Sequence, residues 1–133
     1  MASIRREIAL NQTADRVWEA LRDFQAVDRR VAPGFVIRVE PDGAARIVTF
    51  ANGTIATEEL VDCDDTSRRL VYMISNERLK HYSAAVEVFA DGEACCRLVW
   101  TVDLLPNELA SYVRQQMDAA VKVMKPTLEG AAR

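Results

Sequence analysis

The chain has 133 residues, half of them hydrophobic and 28% charged, a globular composition with enough apolar material for the core of one domain. Seventeen Lys and Arg against 20 Asp and Glu leave a formal net charge of −3. These figures exclude a disordered or low-complexity chain and a disulfide mini-protein, and a mildly acidic chain without a basic tract is not built for tight, non-specific nucleic-acid binding.

Residues 3–10 put Ile8 and Leu10 on one face of a first strand. Thr13 offers an N-cap, and Ala14, Val17, Trp18, Leu21 and Phe24 follow at helical spacing, which predicts an amphipathic helix of about three turns. A short second helix over 27–31 ends at Pro33-Gly34. From there to 103 the pattern is strand after strand: 35–40, 45–50, 54–63, 69–75, 82–89 and 95–105. Turn chemistry separates them, at Pro41-Asp-Gly43, Asn52-Gly53, Asp64-Asp65 and Asp91-Gly92. Beyond Pro106, Asn107 is placed to cap a long helix, and Leu109, Tyr112, Val113, Met117, Ala120, Val121, Met124 and Leu128 give it one apolar stripe. Pro126 predicts a bend near its end. No repeat or linker divides the chain, so residues 1–133 are expected to form a single domain. The fold class expected is α+β: a curved seven-stranded antiparallel sheet, six strands of it a meander, wrapped around the C-terminal helix.

The N-terminus has no apolar signal region and no segment approaches the ~18–20 residues of a membrane span, so a cytoplasmic location is expected. Cys63, Cys95 and Cys96 are an odd number in a reducing compartment and predict no disulfide. Cys95 and Cys96 should point to opposite faces of a strand as small apolar fillers. With one histidine, no C-x-x-C and no Gly-rich phosphate loop, neither metal nor cofactor is expected.

Four segments carry a likeness. They are Ala14-Asp-Arg-Val-Trp-Glu-Ala-Leu-Arg-Asp-Phe24; Gly43-Ala-Ala-Arg46; the Asn52-Gly53 hairpin with Glu58-Glu-Leu60 and Asp64-Asp65; and Arg97-Leu-Val-Trp-Thr-Val102 leading into the last helix. In order and spacing the chain resembles the START/Bet v 1-like superfamily, and more narrowly its polyketide cyclase/dehydrase (SRPBCC) branch. The resemblance implies a helix-grip fold and a cavity between sheet and helix. It singles out Arg46 and Glu58. It also implies a Trp or His in the short second helix, where this chain has Val27-Asp-Arg-Arg30 and so sets charge at the cavity mouth. The superfamily includes carriers, receptors and enzymes, so fold does not fix function.

Strand parity names the residues expected to face the helix and bind a ligand: Leu60; Tyr72 and Ile74; Tyr82, Ala84 and Val86; Leu98 and Trp100. The helix answers with Tyr112, Val113, Met117 and Met124. Ala84→Trp is expected to block that cavity and leave the fold intact. The phenols of Tyr72, Tyr82 and Tyr112 could meet a ligand carbonyl. If Asn52-Gly53 is a two-residue turn, Arg46 sits opposite Glu59 as an exposed pair, with Glu58 kept as a buried acid only if a bulge intervenes. Glu58, Tyr72 and Tyr82 are therefore the catalytic candidates. His81 is expected on the far face from Tyr82. Three functions stand side by side: binding of a lipid-, polyketide- or aromatic-like molecule, a polyketide cyclase or aromatase using acid/base groups, and a protein-interaction module. The expected partner is a small hydrophobic molecule, with no nucleic acid and no membrane span, and a homodimer is left open.

Overall fold

Alternating apolar and polar residues decide the sheet. A computed structural model describes residues 1–130. Among these residues the strands are β1 (Ala2–Leu10), β2 (Val36–Asp42), β3 (Ala45–Phe50), β4 (Ile55–Asp64), β5 (Arg69–Ile74), β6 (His81–Ala90) and β7 (Cys96–Leu105). They form one antiparallel sheet in the order β1-β7-β6-β5-β4-β3-β2. Strands β2 to β7 are a meander, and β1 returns to pair with β7, Ile4 opposite Val102 and Ile8 opposite Leu98. The inward set on the central strands is Leu70, Tyr72, Ile74, Ala84, Val86, Val88, Cys96, Leu98, Trp100 and Val102, all buried. That is the parity expected of a sheet with one covered face.

Three helices cover this face: α1 (Ala14–Arg22), α2 (Val27–Arg30) and α3 (Ala110–Glu129). Thr13 caps α1, its Oγ1 accepting from the Arg16 N–H at 3.3 Å. A 3-10 turn, Phe24–Ala26, then buries Phe24. Asn107 does not cap α3 as expected. The chain first makes a 3-10 turn, Asn107–Leu109, with the Leu109 N–H on the Pro106 carbonyl, and α3 starts without a side-chain cap. Tightened i→i+3 bonding at a helix start satisfies backbone groups that a cap would otherwise serve. Pro126 lies within α3, which continues to Glu129.

The long helix buries Ala110, Val113, Met117, Ala120, Met124 and Leu128. Met117 and Leu128, at 1% and 0% exposure, each contribute about 1.5–3 kcal/mol of burial free energy. From Asp118 onward the helix is tied down at several points. Arg6 Nε reaches Asp118 Oδ1 at 2.7 Å, the Asn11 N–H donates to Glu129 Oε2 at 2.8 Å, and Gln12 Nε2 donates to the Glu129 carbonyl at 3.1 Å. Before Asp118 the polar tie of this kind among the described residues is Asn52 Nδ2 donating to the Tyr112 hydroxyl at 2.9 Å. At the sheet margin, β2 carries Pro41, a register shift between Val36 and Arg38, and an Arg38–Glu40 ion pair. Proline is accepted there because a marginal strand has an outward row of N–H groups that need no partner.

Candidate functional site

Beneath the first turns of α3, ahead of Asp118, lies a cavity of about 210 Å³. Its walls are Phe50, Ala56 and Glu58 from β3 and β4, Tyr72 and Ile74 from β5, Tyr82 from β6, Trp100 from β7, and Val113 and Met117 from α3. Phe35 and Phe50, with ring centroids 5.6 Å apart in an edge-to-face pair, close one side. Asn52, Arg78, Leu79 and Tyr112 stand at the mouth. A smaller space of about 80 Å³ shares the walls Glu58, Tyr72 and Trp100 and reaches Val27, Val86, Ala120 and Met124.

One polar group in these walls comes from a register that the sequence reading missed. The β3–β4 connection is a three-residue loop, Ala51-Asn52-Gly53. The Phe50 N–H bonds to the Thr54 carbonyl and Gly53 sits at φ +90°. That left-handed backbone favours glycine. One extra loop residue moves the pairing by one place. Arg46 therefore lies opposite Glu58, not Glu59, and the pair turns inward instead of outward. No bulge in β3 or between the two residues is needed.

Inside, Arg46 and Glu58 are each 5% exposed. Arg46 Nε and Nη2 both reach Glu58 Oε1, at 2.8 and 2.7 Å. Nη1 donates to the Phe24 carbonyl at 2.7 Å. The guanidinium lies 3.8 Å from the Phe24 ring centroid and 5.2 Å from that of Tyr72, so two aromatic faces stabilise the cation. Both Arg46 bonds land on one oxygen, and Oε2 carries none of them. Burial outweighs the attraction of Arg46 and raises the Glu58 carboxyl above its ordinary range. A carboxyl so placed can exchange a proton closer to neutrality.

The two inner phenols are held neutral. Burial pushes the Tyr72 hydroxyl well up, and the Glu58 charge adds to this, while Arg46 and the neighbouring Trp100 indole N–H oppose it. Tyr82 is partly exposed as a residue, but its phenol lies deep enough that burial raises it well above its ordinary value, with Tyr72 and Glu58 adding. Both are hydrogen-bond donors at every ordinary pH.

Of the residues expected to face a ligand, Tyr72, Ile74, Tyr82, Trp100, Tyr112, Val113 and Met117 line the larger cavity, and Val86 and Met124 line the smaller one. Three do not reach either. Leu98 is fully buried core. Ala84, 1% exposed, sits directly opposite Tyr72 and leaves room for that ring, so a Trp there would collide with packed core and not fill the cavity. Leu60 is 36% exposed, on a half of β4 that bulges between Leu60 and Asp62 and lies largely in solvent. The charges of α2 line neither space: Arg30 pairs with Asp23 and Glu19, and Val27 is the α2 residue that reaches a wall. His81 is exposed beside Ser83. Cys95 and Cys96 do point apart, and burial pushes the Cys96 thiol up to about 11. The sequence reading missed Phe35, Phe50 and Ala56. A three-residue hairpin would have brought Phe50 and Ala56 to the inward face beside Arg46 and Glu58.

A model of the polyketide cyclase/dehydrase and lipid transport family matches residues 1–132. No curated protein matches the chain in sequence. An uncharacterised protein from Bacillus thuringiensis superposes with a TM-score of 0.83 at 16% identity, over 96% of this chain and 98% of the other. The di-domain ARO/CYC BexL from the BE-7585A biosynthetic pathway gives 0.79 at 16% identity, over 97% of this chain and 47% of BexL. Norcoclaurine synthase from Thalictrum flavum, in complex with dopamine and hydroxybenzaldehyde, gives 0.65 at 15% identity, over 90% and 83%. At such identities the likeness is one of fold, and the fold is the helix-grip arrangement expected. Among the described residues no helix is long and apolar enough to cross a membrane.

Proposed function

We propose a function from one premise: the chain belongs to the polyketide cyclase/dehydrase and lipid transport family. The protein binds a compact, hydrophobic, ring-bearing molecule in the cavity between the sheet and α3. The size and lining of that cavity support this. A dry cavity of ~150 Å³ takes benzene, and drug-sized ligands occupy roughly 300–1,000 Å³. A space of about 210 Å³ therefore suits one or two rings better than a long acyl chain. Phe35, Phe50, Tyr72, Tyr82 and Trp100 offer faces and edges for such rings. BexL, an ARO/CYC protein, and norcoclaurine synthase with its two single-ring compounds support the same ligand class. Native mass spectrometry of freshly purified protein, followed by organic extraction, is expected to release a discrete small aromatic compound. A bare mass, together with no saturable quenching of tryptophan fluorescence by added 1-tetralone, would overturn the reading in favour of the interaction module.

A second reading is favoured by Glu58, a buried carboxyl in the cavity wall with its affinity for protons raised. Here the protein is an enzyme that moves protons beside a carbonyl, as a cyclase must. Glu58 takes a proton from the carbon next to the carbonyl, the C–H electron pair becomes the enolate double bond, and a phenol stabilises the oxygen. The expected result is deuterium uptake into 1-tetralone in D2O above the buffer rate, reduced about 100-fold or more by Glu58→Gln. Equal rates with and without protein would leave only binding.

A further inference from the structure

The chain has two tryptophans, and their indole N–H groups are treated differently. Trp18 Nε1 donates to Asp65 Oδ1 at 2.9 Å. Trp100 Nε1 is buried and has no hydrogen-bond partner among the described residues. Indole nitrogen is donor only, so a buried one asks for an acceptor. The polar group beside it is the Tyr72 oxygen, near enough to feel the N–H but outside hydrogen-bond geometry.

Tyr72 is itself firmly placed. Its ring lies against the Arg46 guanidinium, and 6.4 Å from the Phe24 ring. Ala84 opposite it on β6 gives the ring room. The donor beside its hydroxyl is the Trp100 indole N–H. A phenol of this kind can receive one hydrogen bond and give another. The indole N–H is on hand to supply the first, and the cavity is where the second would go.

The charges next to it define what can accept that bond. The Arg46 charge is paired with Glu58, a further N–H goes to the Phe24 carbonyl, and Arg46 does not line this cavity, so it offers no free cation to a carboxylate there. An anionic ligand group would also meet Glu58 in the same wall. A hydrocarbon would leave the phenol and the indole unsatisfied. A neutral acceptor oxygen meets both conditions.

We propose that the Tyr72 hydroxyl binds the carbonyl oxygen of a ketone or aldehyde ligand, and that Trp100 is the positioning residue that turns the phenol toward it by donating to the phenol oxygen. This rests on the cavity being a ligand site and adds the ligand's functional group. The bound state then has a chain of two hydrogen bonds, indole to phenol and phenol to carbonyl, each strengthening the other in a dry wall.

The test compares 1-tetralone with tetralin, which differ by one carbonyl, on the full 15N-labelled chain. Tetralone is expected to bind at least tenfold more tightly. The Trp100 indole proton should move downfield on saturation with tetralone and not with tetralin, while the Trp18 peak, held by Asp65, stays in place. Tyr72→Phe and Trp100→Phe should each bring the affinity ratio of the two compounds toward one. Should either variant fail to fold, the indole peaks of the unaltered chain decide alone. Equal binding of the two compounds, or an unmoved Trp100 peak with tetralone bound, overturns the proposal and leaves the cavity as a binding site. Binding of neither compound overturns the proposal, and together with a bare native mass it overturns the reading on which the proposal rests.

Discussion

Arg46→Met is expected to cost the fold about 3–5 kcal/mol at neutral pH, because it strands a carboxylate in the core. The double variant Arg46→Met/Glu58→Leu should recover most of that loss, since apolar side chains of similar volume replace a buried pair at little cost. Urea unfolding of the three proteins measures both effects. The loss also has a sign in pH. Burial raises the Glu58 carboxyl above its ordinary value in the folded chain, and removing Arg46 takes away both the charge and the hydrogen bond that lower it. A group raised on folding contributes stability that is complete below its unfolded value and lost as pH rises through its folded value. The Arg46→Met deficit should therefore be smallest in the acid range, where Glu58 is neutral, and grow as pH climbs from there toward neutrality. A deficit under about 1 kcal/mol, flat with pH, would mean that the pair behaves as an exposed one.

Val113→Trp is expected to abolish ligand uptake with little change in stability. Val113 is on the cavity wall, so the indole has space to enter. Affinity for 1-tetralone should fall about 100-fold or more, which is about 2.7 kcal/mol, while the urea midpoint moves little. Ala84→Trp is the contrast. Ala84 is the buried cross-strand neighbour of Tyr72, and overpacking of that kind typically costs about 1–3 kcal/mol. If Val113→Trp binds tetralone as the unaltered chain does, the ligand sits elsewhere.

Much of the fold could be read from residue spacing, because period-two strands and a period of three to four in the helix are strong signals. The inward parity of β5, β6 and β7 came out of alternation alone. What alternation could not supply was the length of one loop. Asn52-Gly53 marks a hairpin, but the same dipeptide serves a two-residue turn, with positive φ at both residues, and a three-residue turn; here Gly53 has it and Asn52 does not, and the loop takes in Ala51. That single residue decided whether Arg46 met Glu59 in water or Glu58 in the core. The resemblance to a known superfamily had pointed to Glu58, and the geometry agrees with it. Leu60 was misplaced for a related reason: parity assigns a face to a residue without saying whether anything covers that part of the strand. Phe35 was expected to open the strand 35–40, but β2 begins at Val36 and leaves Phe35 in the connection from α2, where parity assigns no face.

The outermost strand β2 has a bearing on how the protein behaves in a crowded solution. A sheet that stops at an unpaired strand can recruit another, and copies stacked in that way grow into fibres. At this margin Pro41 has no N–H to give, the register slips between Val36 and Arg38, and Arg38, Glu40 and Asp42 present charge. An incoming strand would find the ladder broken within a few residues of any start. The chain can thus keep an open sheet, with a cavity under it, at high concentration without that margin seeding aggregation.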